Sequence, residues 1–197
     1  MLKNQFRPAI VVTAVLMVIT GLLYPGAVTA VAQLLFPHQA DGSLVVVNGQ
    51  VVGSALIGQS FAGARYFHSR PSAAGAGYDD TLSAGTNLGP TSAKLADTLI
   101  VQAVDSAVRL DGAGKGRIPS DLVTRSGSGL DPHISPASAA LQVARVARER
   151  GLDTALVRQL VTRHTEGRQF GVLGERRVNV LLLNLALDSI QASQPGQ

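Results

Sequence analysis

One short stretch, residues 126–140, holds the side chains most able to do chemistry. Its letters are SGSGLDPHISPASAA, which supply a carboxylate, an imidazole, several hydroxyls and two glycines that permit close backbone approach. Four interpretations fit this composition: a phosphate-binding loop, a metal site, a nucleophile with its helpers, or a loop that opens a helix.

The metal-site interpretation depends on Asp131 and His133. Both are cation-binding side chains, but they stand two positions apart and the sequence suggests no third ligand. A hydrogen-bonded polar turn is the simpler interpretation. In it, Asp131-Pro132 turns the chain and Ser135-Pro136 starts a helix.

The phosphate-loop and nucleophile motifs are incomplete. Residues 111–118, DGAGKGRI, would need a glycine where Arg109 stands and a Ser or Thr where Gly116 stands. Residues 58–62, GQSFA, come near the G-x-S-x-G pattern, but no helix is predicted after them. The four histidines show no helical His pair, so an independent hydrolase is disfavoured.

A long apolar segment precedes all of these residues. Residues 9–36 contain no Asp, Glu, Lys or Arg. About 20 helical residues cross the hydrocarbon core of a bilayer, so residues 9–36 are predicted to form a transmembrane helix. Lys3 and Arg7 lie before it, and positive charge stays on the cytoplasmic side. We therefore expect residues 1–8 to be cytoplasmic and residues 37–192 to lie outside the cytoplasm.

A cleaved signal peptide is the alternative interpretation of the same segment. Ala30-Val31-Ala32 fits a cleavage site, but a secretory apolar region usually has about 7–15 residues. Leu34-Leu35-Phe36 continue the apolar run beyond that site, which favours an uncleaved anchor.

The rest of the chain predicts a mixture of strands and helices. Residues 44–47 and 50–52 flank Asn48-Gly49, a strong signal for a tight hairpin turn. Residues 65–87 are loop-like, and Leu122-Val123 suggests a short strand. Four helices are predicted: from Pro90 to Asp111, from a Ser135 or Ser138 cap to Arg150, after an Asp153 cap, and from Val178 to Ile190.

The predicted fold class is α+β, with one N-terminal transmembrane helix followed by a single extracytoplasmic α+β domain. Residues 193–197 are expected to form a flexible tail. The absence of Cys excludes disulfides and thiolate sites. With 4% aromatic residues and no Trp, nucleic acid is not an expected partner.

The basic residues of the C-terminal part are interspersed with acids. They are Arg145, Arg148, Arg150, Arg158, Arg163, Arg168, Arg176 and Arg177. This pattern predicts solvated helix faces, with lipid headgroups or an acidic partner as the alternative.

Five motifs, taken in order, resemble one known family. They are residues 53–59 (GSALIGQ), 66–72 (YFHSRPS), 87–90 (NLGP), 128–136 (SGLDPHISP) and 176–188 (RRVNVLLLNLALD). With the N-terminal span they resemble the KdpC family, the small subunit of the Kdp potassium-transporting P-type ATPase of bacteria. The resemblance runs from about residue 8 to residue 190. Ala144 and Arg176 depart from it, since proline is expected at both.

The resemblance implies a non-catalytic, single-pass subunit of an inner-membrane complex that imports potassium at high affinity. The subunit would be needed for assembly. Its partners would be a channel-like potassium-translocating subunit, a P-type ATP-hydrolysing subunit, a small single-span subunit and membrane lipid. The D-K-T-G phosphorylation motif of P-type pumps is absent from the chain. A secreted or anchored binding or scaffold protein without a transport role is the alternative.

The resemblance also implies site residues. The family is described as a catalytic chaperone that raises the ATP affinity of the hydrolysing subunit, and Gln142 matches the position tied to that idea. ATP would then be shared with that subunit, with no tightly bound cofactor and no catalytic or metal-binding residue here. The predicted topology argues against direct contact between Gln142 and ATP, because an external domain cannot reach cytoplasmic nucleotide. The residues expected at partner interfaces are Tyr66, Phe67, His68, Arg70, Asp131, His133, Asn179 and Asn184.

Overall fold

The computed structural model describes residues 2–192, so the predicted tail at 193–197 lies outside the described residues. The chain divides into two compact units between Val52 and Gly53. The first unit begins with one long helix, and its parts are α1 (Leu2–Val18), a π-helical turn (Ile19–Leu23) and α2 (Tyr24–Leu35). A short helix, α3 (Pro37–Ala40), follows.

The first helix is long and apolar enough to cross a membrane over Asn4–Leu35. At 1.5 Å per residue its 32 residues measure about 48 Å, more than the roughly 30 Å of a hydrocarbon core. The π-helical turn ends directly before Tyr24-Pro25. Proline has no backbone N–H to donate to the preceding turn, which explains a departure from α-helical bonding at this place.

The predicted hairpin is confirmed. Strands β1 (Leu44–Val47) and β2 (Gln50–Ser54) pair in a two-stranded sheet. Asn48 and Gly49 between them have φ angles of 51° and 78°. Positive φ at both central residues is what a type I′ turn requires, and Asn-Gly is the pair that adopts it most readily.

The described part of the second unit contains four helical segments longer than a single 3₁₀ turn. They are a π-helical segment (Lys94–Ile100) that runs into α4 (Val101–Asp111), then α5 (Pro136–Arg150), α6 (Thr154–Arg163) and α7 (Val180–Ala192). The predicted caps of α5 and α6 are confirmed, since Ser135 Oγ accepts from Ser138 N at 3.0 Å and Asp153 Oδ1 accepts from Ala155 N at 2.8 Å. Gly151 ends α5 in the left-handed region, at φ 65°.

A small antiparallel sheet lies beside these helices. Its strands are β3 (His133–Ile134), β4 (Thr165–Glu166) and β5 (Arg177–Asn179), in the order β3-β5-β4. Val178 pairs with Ile134 on one side and with Thr165 on the other. The predicted helix from Val178 is therefore wrong at its start, because residues 177–179 form the central strand and the helix begins at Val180.

Two other boundaries differ from the predictions. The helix expected from Pro90 begins at Lys94, because a turn closed by Ser92 N and Gly89 O at 3.0 Å surrounds the proline. Leu122 belongs to a 3₁₀ turn (Ser120–Leu122) rather than to a strand.

The core of the second unit lies between α5, α6, α7 and β5. Its buried members are Phe67, Ile134, Ala139, Val143, Val146, Ala147, Val157, Leu160, Val161, Val178, Val180, Leu183 and Leu187. Phe67 is the one aromatic residue in this set and comes from a loop, so the core also fixes that loop.

Candidate functional site: a clamped segment and an ion-pair corner

Motifs that are far apart in the sequence meet around residues 64–70, which we call the clamped segment. This segment belongs to no helix or strand. Buried backbone N–H and C=O groups need partners, and outside regular structure side chains must supply them. The clamped segment obtains those partners from α5 and α7.

Two side-chain amides hold adjacent residues of the clamped segment. Gln142 on α5 accepts from His68 N at 2.7 Å and donates to His68 O at 3.1 Å. Asn184 on α7 forms the same pair with Phe67, at 2.9 Å and 3.0 Å. The two amides are 0% and 1% exposed, so these bonds have no competing water. Each amide supplies the two backbone hydrogen bonds that a neighbouring strand would supply in a sheet.

Arg145 adds the next contacts along α5. Its guanidinium donates to Tyr66 O at 2.8 Å and to Ala64 O, and it also bonds Gln142 Oε1 at 2.8 Å. Its Nε lies 2.7 Å from Asp111 Oδ1 at the end of α4. Arg145 is only 2% exposed, so the expectation of a solvated face is wrong at this position. A buried guanidinium of this kind requires a paired carboxylate and saturated donors.

Arg150 holds the start of the clamped segment and is buried as well. It donates from Nε to Arg65 O at 2.7 Å and lies 2.8 Å from Asp188 Oδ1. Its guanidinium carbon is 4.8 Å from the centre of the Tyr66 ring, a cation–π distance. The solvated-face expectation is therefore wrong for Arg150 too, since its positive charge is used inside the domain.

A second cluster, the ion-pair corner, consists of Arg70, Asp131 and His133. Arg70 Nη1 lies 2.9 Å from Asp131 Oδ2, and His133 N donates to Asp131 Oδ1 at 3.0 Å. Burial by itself raises the pKa of Asp131, but the hydrogen bonds from His133 and Arg70 outweigh it and hold the pKa at about 2. Asp131 is thus a carboxylate at all physiological pH values, and it fixes the end of the clamped segment.

The glycines of these motifs serve close packing of one chain segment on another. Gly129 has φ +68°, and a Cβ there would lie 2.6 Å from both Ala74 N and Ala84 O. A Cβ on Gly58 would lie 2.5 Å from Asp131 O. The glycines therefore have a structural use that needs no phosphate ligand.

The hydroxyls that follow them are engaged at the start of α5. The Asp121 carboxylate accepts from Ser135 N at 2.7 Å, from Ser135 Oγ at 2.9 Å and from Ser138 Oγ at 2.6 Å. Of the four interpretations of residues 126–140, the helix-opening loop is the one that this geometry matches. Within residues 2–192, no group of three or more His, Cys, Asp or Glu side chains is placed to hold a metal ion.

A cavity of about 440 Å³ lies beside the clamped segment. Its polar lining includes His68, Arg70, Asp111, Arg125 and Gln142, and α4 forms another wall. Burial, and then the positive charge of Arg145, lower the pKa of His68, so its imidazole is neutral at pH 7. The cavity could hold a small polar ligand, but the Gln142 amide in its wall already bonds His68.

The predicted site residues fall into separate places. The clamp brings together Phe67, His68, Gln142 and Asn184, and the ion-pair corner brings together Arg70, Asp131 and His133. Tyr66 lies against Arg150. Asn179 donates to Ala55 O at 2.8 Å and accepts from Leu182 N at the start of α7. The interface role of these residues stays a prediction. Phe67, Asn179 and Asn184 are buried, so they can affect a partner only through the surface that they hold in shape.

Arg145 and Arg150 were not distinguished, from the sequence, from the other arginines of the C-terminal part. A signal was present in the helical spacing of α5. Arg145 lies three residues after Gln142 and between the core residues Val143 and Val146. Charged side chains within the apolar stripe of an amphipathic helix indicate buried ion pairs rather than a solvated face.

Comparison with known proteins identifies the relatives of this sequence. A family model described as "KdpC: K+-transporting ATPase, c chain" matches residues 6–189. A "Potassium-transporting ATPase KdpC subunit" of Gemmatimonas aurantiaca is 63% identical over 196 residues, covering 99% of this chain and 98% of that protein. Proteins with the same description are 54% identical in Koribacter versatilis (96% and 97% covered) and 58% identical in Myxococcus xanthus (94% and 88% covered).

Proposed function

Because this chain belongs to the KdpC family of potassium-transporting ATPase subunits, we propose that it is the non-catalytic assembly subunit of an ATP-driven potassium import complex. In this proposal the first helix anchors the chain in the bacterial inner membrane. The second unit is a rigid scaffold that holds the channel-like, ATP-hydrolysing and small single-span subunits together. The chain itself carries out no covalent step.

The observation that supports a scaffold is the use of the buried polar side chains of α5 and α7. Gln142, Asn184, Arg145 and Arg150 direct their polar groups at the backbone of the clamped segment. Reactive side chains in an active site instead need to be free to meet a substrate. Polar side chains used in this way preserve the shape of a surface, which is the requirement for an assembly subunit.

The proposed topology places the N-terminus in the cytoplasm and the second unit outside it. The helix over Asn4–Leu35 is the one membrane-span candidate among the described residues. Lys3 and Arg7 near its start, with no acidic residue before Asp41, fit the rule that positive charge remains inside. ATP in the cytoplasm would then lie beyond the reach of Gln142.

A truncation tests the assembly role. A chain that ends after residue 40 keeps the span and loses the scaffold, and we expect it to abolish both co-purification of the other subunits and potassium uptake from low-potassium medium. The full-length chain with an exposed substitution, Arg148→Ala, is the control. Normal uptake with the truncated chain, detected in the membrane by an N-terminal tag, would refute the proposal.

A role in ATP affinity is the second candidate, because Gln142 lines the 440 Å³ cavity together with Arg70 and Arg125. Protease accessibility of a C-terminal tag decides whether this role is direct. We expect digestion in intact spheroplasts, with the N-terminus uncleaved. Digestion only in inverted vesicles would instead place the cavity beside the ATP-hydrolysing subunit, and the KM for ATP of a Gln142→Ala complex would then be the next measurement.

A further inference from the structure

The cavity of about 440 Å³ beside the clamped segment combines an apolar wall with two arginines. One face of the helical segment 94–111 forms the wall, and its residues follow one another at helical spacing. They are Leu99, Ala103, Ala107 and Leu110. Arg70 and Arg125 lie in the same lining. Small-molecule sites have volumes of roughly 300–1,000 Å³ and a mostly apolar lining with a few polar groups, so this cavity has the size and the lining of a ligand site.

Arg125 has no partner for its positive charge within residues 2–192. The residue is only partly exposed, its Nε is buried without a hydrogen-bond acceptor, and its guanidinium forms no ion pair with a described carboxylate. Arg145 and Arg150, in contrast, lie 2.7 Å and 2.8 Å from carboxylate oxygens. Partial burial of an unpaired charge is unfavourable, because the lost hydration is not replaced. The Nη groups of Arg125 can therefore bond an anion that the described chain does not supply.

The other charged groups in the described lining of the cavity are balanced by ion pairs. Arg70 Nη1 lies 2.9 Å from Asp131 Oδ2. Asp111 Oδ1 lies 2.7 Å from Arg145 Nε. Arg125 thus supplies one surplus positive charge to the lining, and a ligand with one negative charge would neutralise it.

The chemistry of this lining favours a carboxylate as the anion. A guanidinium binds a planar carboxylate through two parallel N–H groups. Gln102 and Ser106 add neutral donors from α4 to the same lining. His68 adds no charge at pH 7, because burial and then the positive charge of Arg145 lower its pKa. A nucleoside triphosphate carries several negative charges, which a single unpaired guanidinium does not balance.

We propose that this cavity binds a small organic monocarboxylate. The carboxylate bonds the Nη groups of Arg125, and the apolar body of the ligand packs against the wall formed by residues 94–111. Removal of that body from water supplies binding energy that an inorganic anion lacks. The proposal goes beyond the assembly role and does not depend on it, since the whole lining of the cavity belongs to the second unit.

Titration calorimetry of the purified full-length chain at pH 7 tests the site, with hexanoate and phenylacetate as the probes. At least one of these carboxylates should bind in a one-to-one ratio. Hexanamide has no charge and inorganic phosphate has no apolar body, so each should bind at least about tenfold more weakly than the better probe. The absence of binding by both carboxylates would overturn the proposal, and so would equal or tighter binding of phosphate or ATP.

Arg125→Gln separates a ligand-binding role of this side chain from a structural one. Loss of the charged donors should weaken binding of the better probe about tenfold or more. The free chain should be at least as stable as the wild type, because Arg125 has no ion pair within the described residues to lose. Arg158→Gln, exposed on α6, is the matched control and should bind the probe as the wild type does. Unchanged affinity of the Arg125→Gln chain would overturn the proposal.

A second variant tests the apolar wall and leaves the charge in place. Ala103→Leu adds bulk to the wall, so it should also weaken binding of the better probe. An affinity equal to that of the wild type would overturn the proposed position of the ligand. The assembly role fails in a different way, because a chain that binds the probe but does not co-purify with the other subunits would contradict that role alone.

Discussion

Gln142 and Asn184 hold two consecutive residues of one loop from two different helices. Gln142 pairs with the backbone of His68 and Asn184 with the backbone of Phe67, and each amide forms one bond as donor and one as acceptor. A loop held by an amide from each helix cannot move away from either one without leaving buried backbone groups unpaired. The clamped segment therefore connects α5 to α7 through buried hydrogen bonds to its backbone.

Replacing Gln142 by Leu should strongly destabilise the second unit. The change keeps the side-chain size but leaves the His68 N–H and C=O, and one donor of Arg145, buried without a partner. We expect a loss of about 2–4 kcal/mol in the free energy of unfolding, measured by denaturant titration of the purified chain. Gln159→Leu on the exposed side of α6 is the matched control, expected to change stability by less than about 0.5 kcal/mol. Equal effects of the two substitutions would show that the clamp contributes nothing.

The two amides should be energetically coupled. Once Gln142→Ala releases the clamped segment, Asn184 has less ordered structure left to hold. The double variant Gln142→Ala/Asn184→Ala should thus lose less stability than the sum of the single variants, by about 0.5–3 kcal/mol. A double-mutant cycle on the unfolding free energies measures this coupling. Strict additivity would mean that each amide acts on an independent part of the fold.

Asp131 should make stability depend on pH in the acid range. Its pKa is about 2 in the folded chain, below the ordinary value of 3.8, so ionised Asp131 stabilises the fold above about pH 4. This contribution is lost as the pH falls from about 4 to about 2. Because the carboxylate is only half-buried, we expect it to contribute about 1–2 kcal/mol to the free energy of unfolding, less than the full change in its pKa would correspond to.

Asp131→Asn isolates this effect. Unfolding free energies of the wild type and the variant should differ most at pH 7 and should converge near pH 2. Arg70→Gln is the control that removes one of the two groups bonded to the carboxylate, and it should reduce the pH-dependent part without abolishing it. A difference that stays constant between pH 7 and pH 2 would contradict the low pKa.

Gly129 should not tolerate a side chain, whereas Gly127 should tolerate one. Gly129→Ala places a Cβ 2.6 Å from two backbone atoms at φ +68°, so a loss of about 2–4 kcal/mol in stability is expected. A Cβ on Gly127 meets nothing within 4 Å. Thermal unfolding of the two Gly→Ala variants compares the sites directly, and a normal melting temperature for Gly129→Ala would contradict the packing described for this loop.

The elements that were predicted correctly from the sequence are determined by residues within them or next to them. Asn48-Gly49 determines a hairpin turn within four residues, and Ser135, Gly151 and Asp153 mark helix ends through bonds to near neighbours. The apolar helix is equally local, because its length and lack of charge are enough to predict it. None of these predictions depends on where another part of the chain lies.

The incorrect predictions concern contacts between distant residues. Residues 177–179 form a strand because His133 and Ile134 pair with it from more than 40 positions away and Thr165 and Glu166 pair with it on the other side. Three residues are too few to show strand periodicity before the helical pattern of α7 takes over. The clamp is similar, since Gln142 and His68 are 74 positions apart. The position of Gln142 on α5 does not show which distant backbone groups its amide bonds.

The π-helical turn at Ile19–Leu23 affects what the first helix can touch. An α-helix rotates by about 100° per residue, so the extra residue in a π-turn rotates everything after it by about that angle. The stripe of side chains that α1 presents to one side does not continue along the same side of α2. A helix of this form has two contact faces that point in different directions, one before and one after the π-helical turn. Two neighbours can therefore pack against it without competing for the same residues.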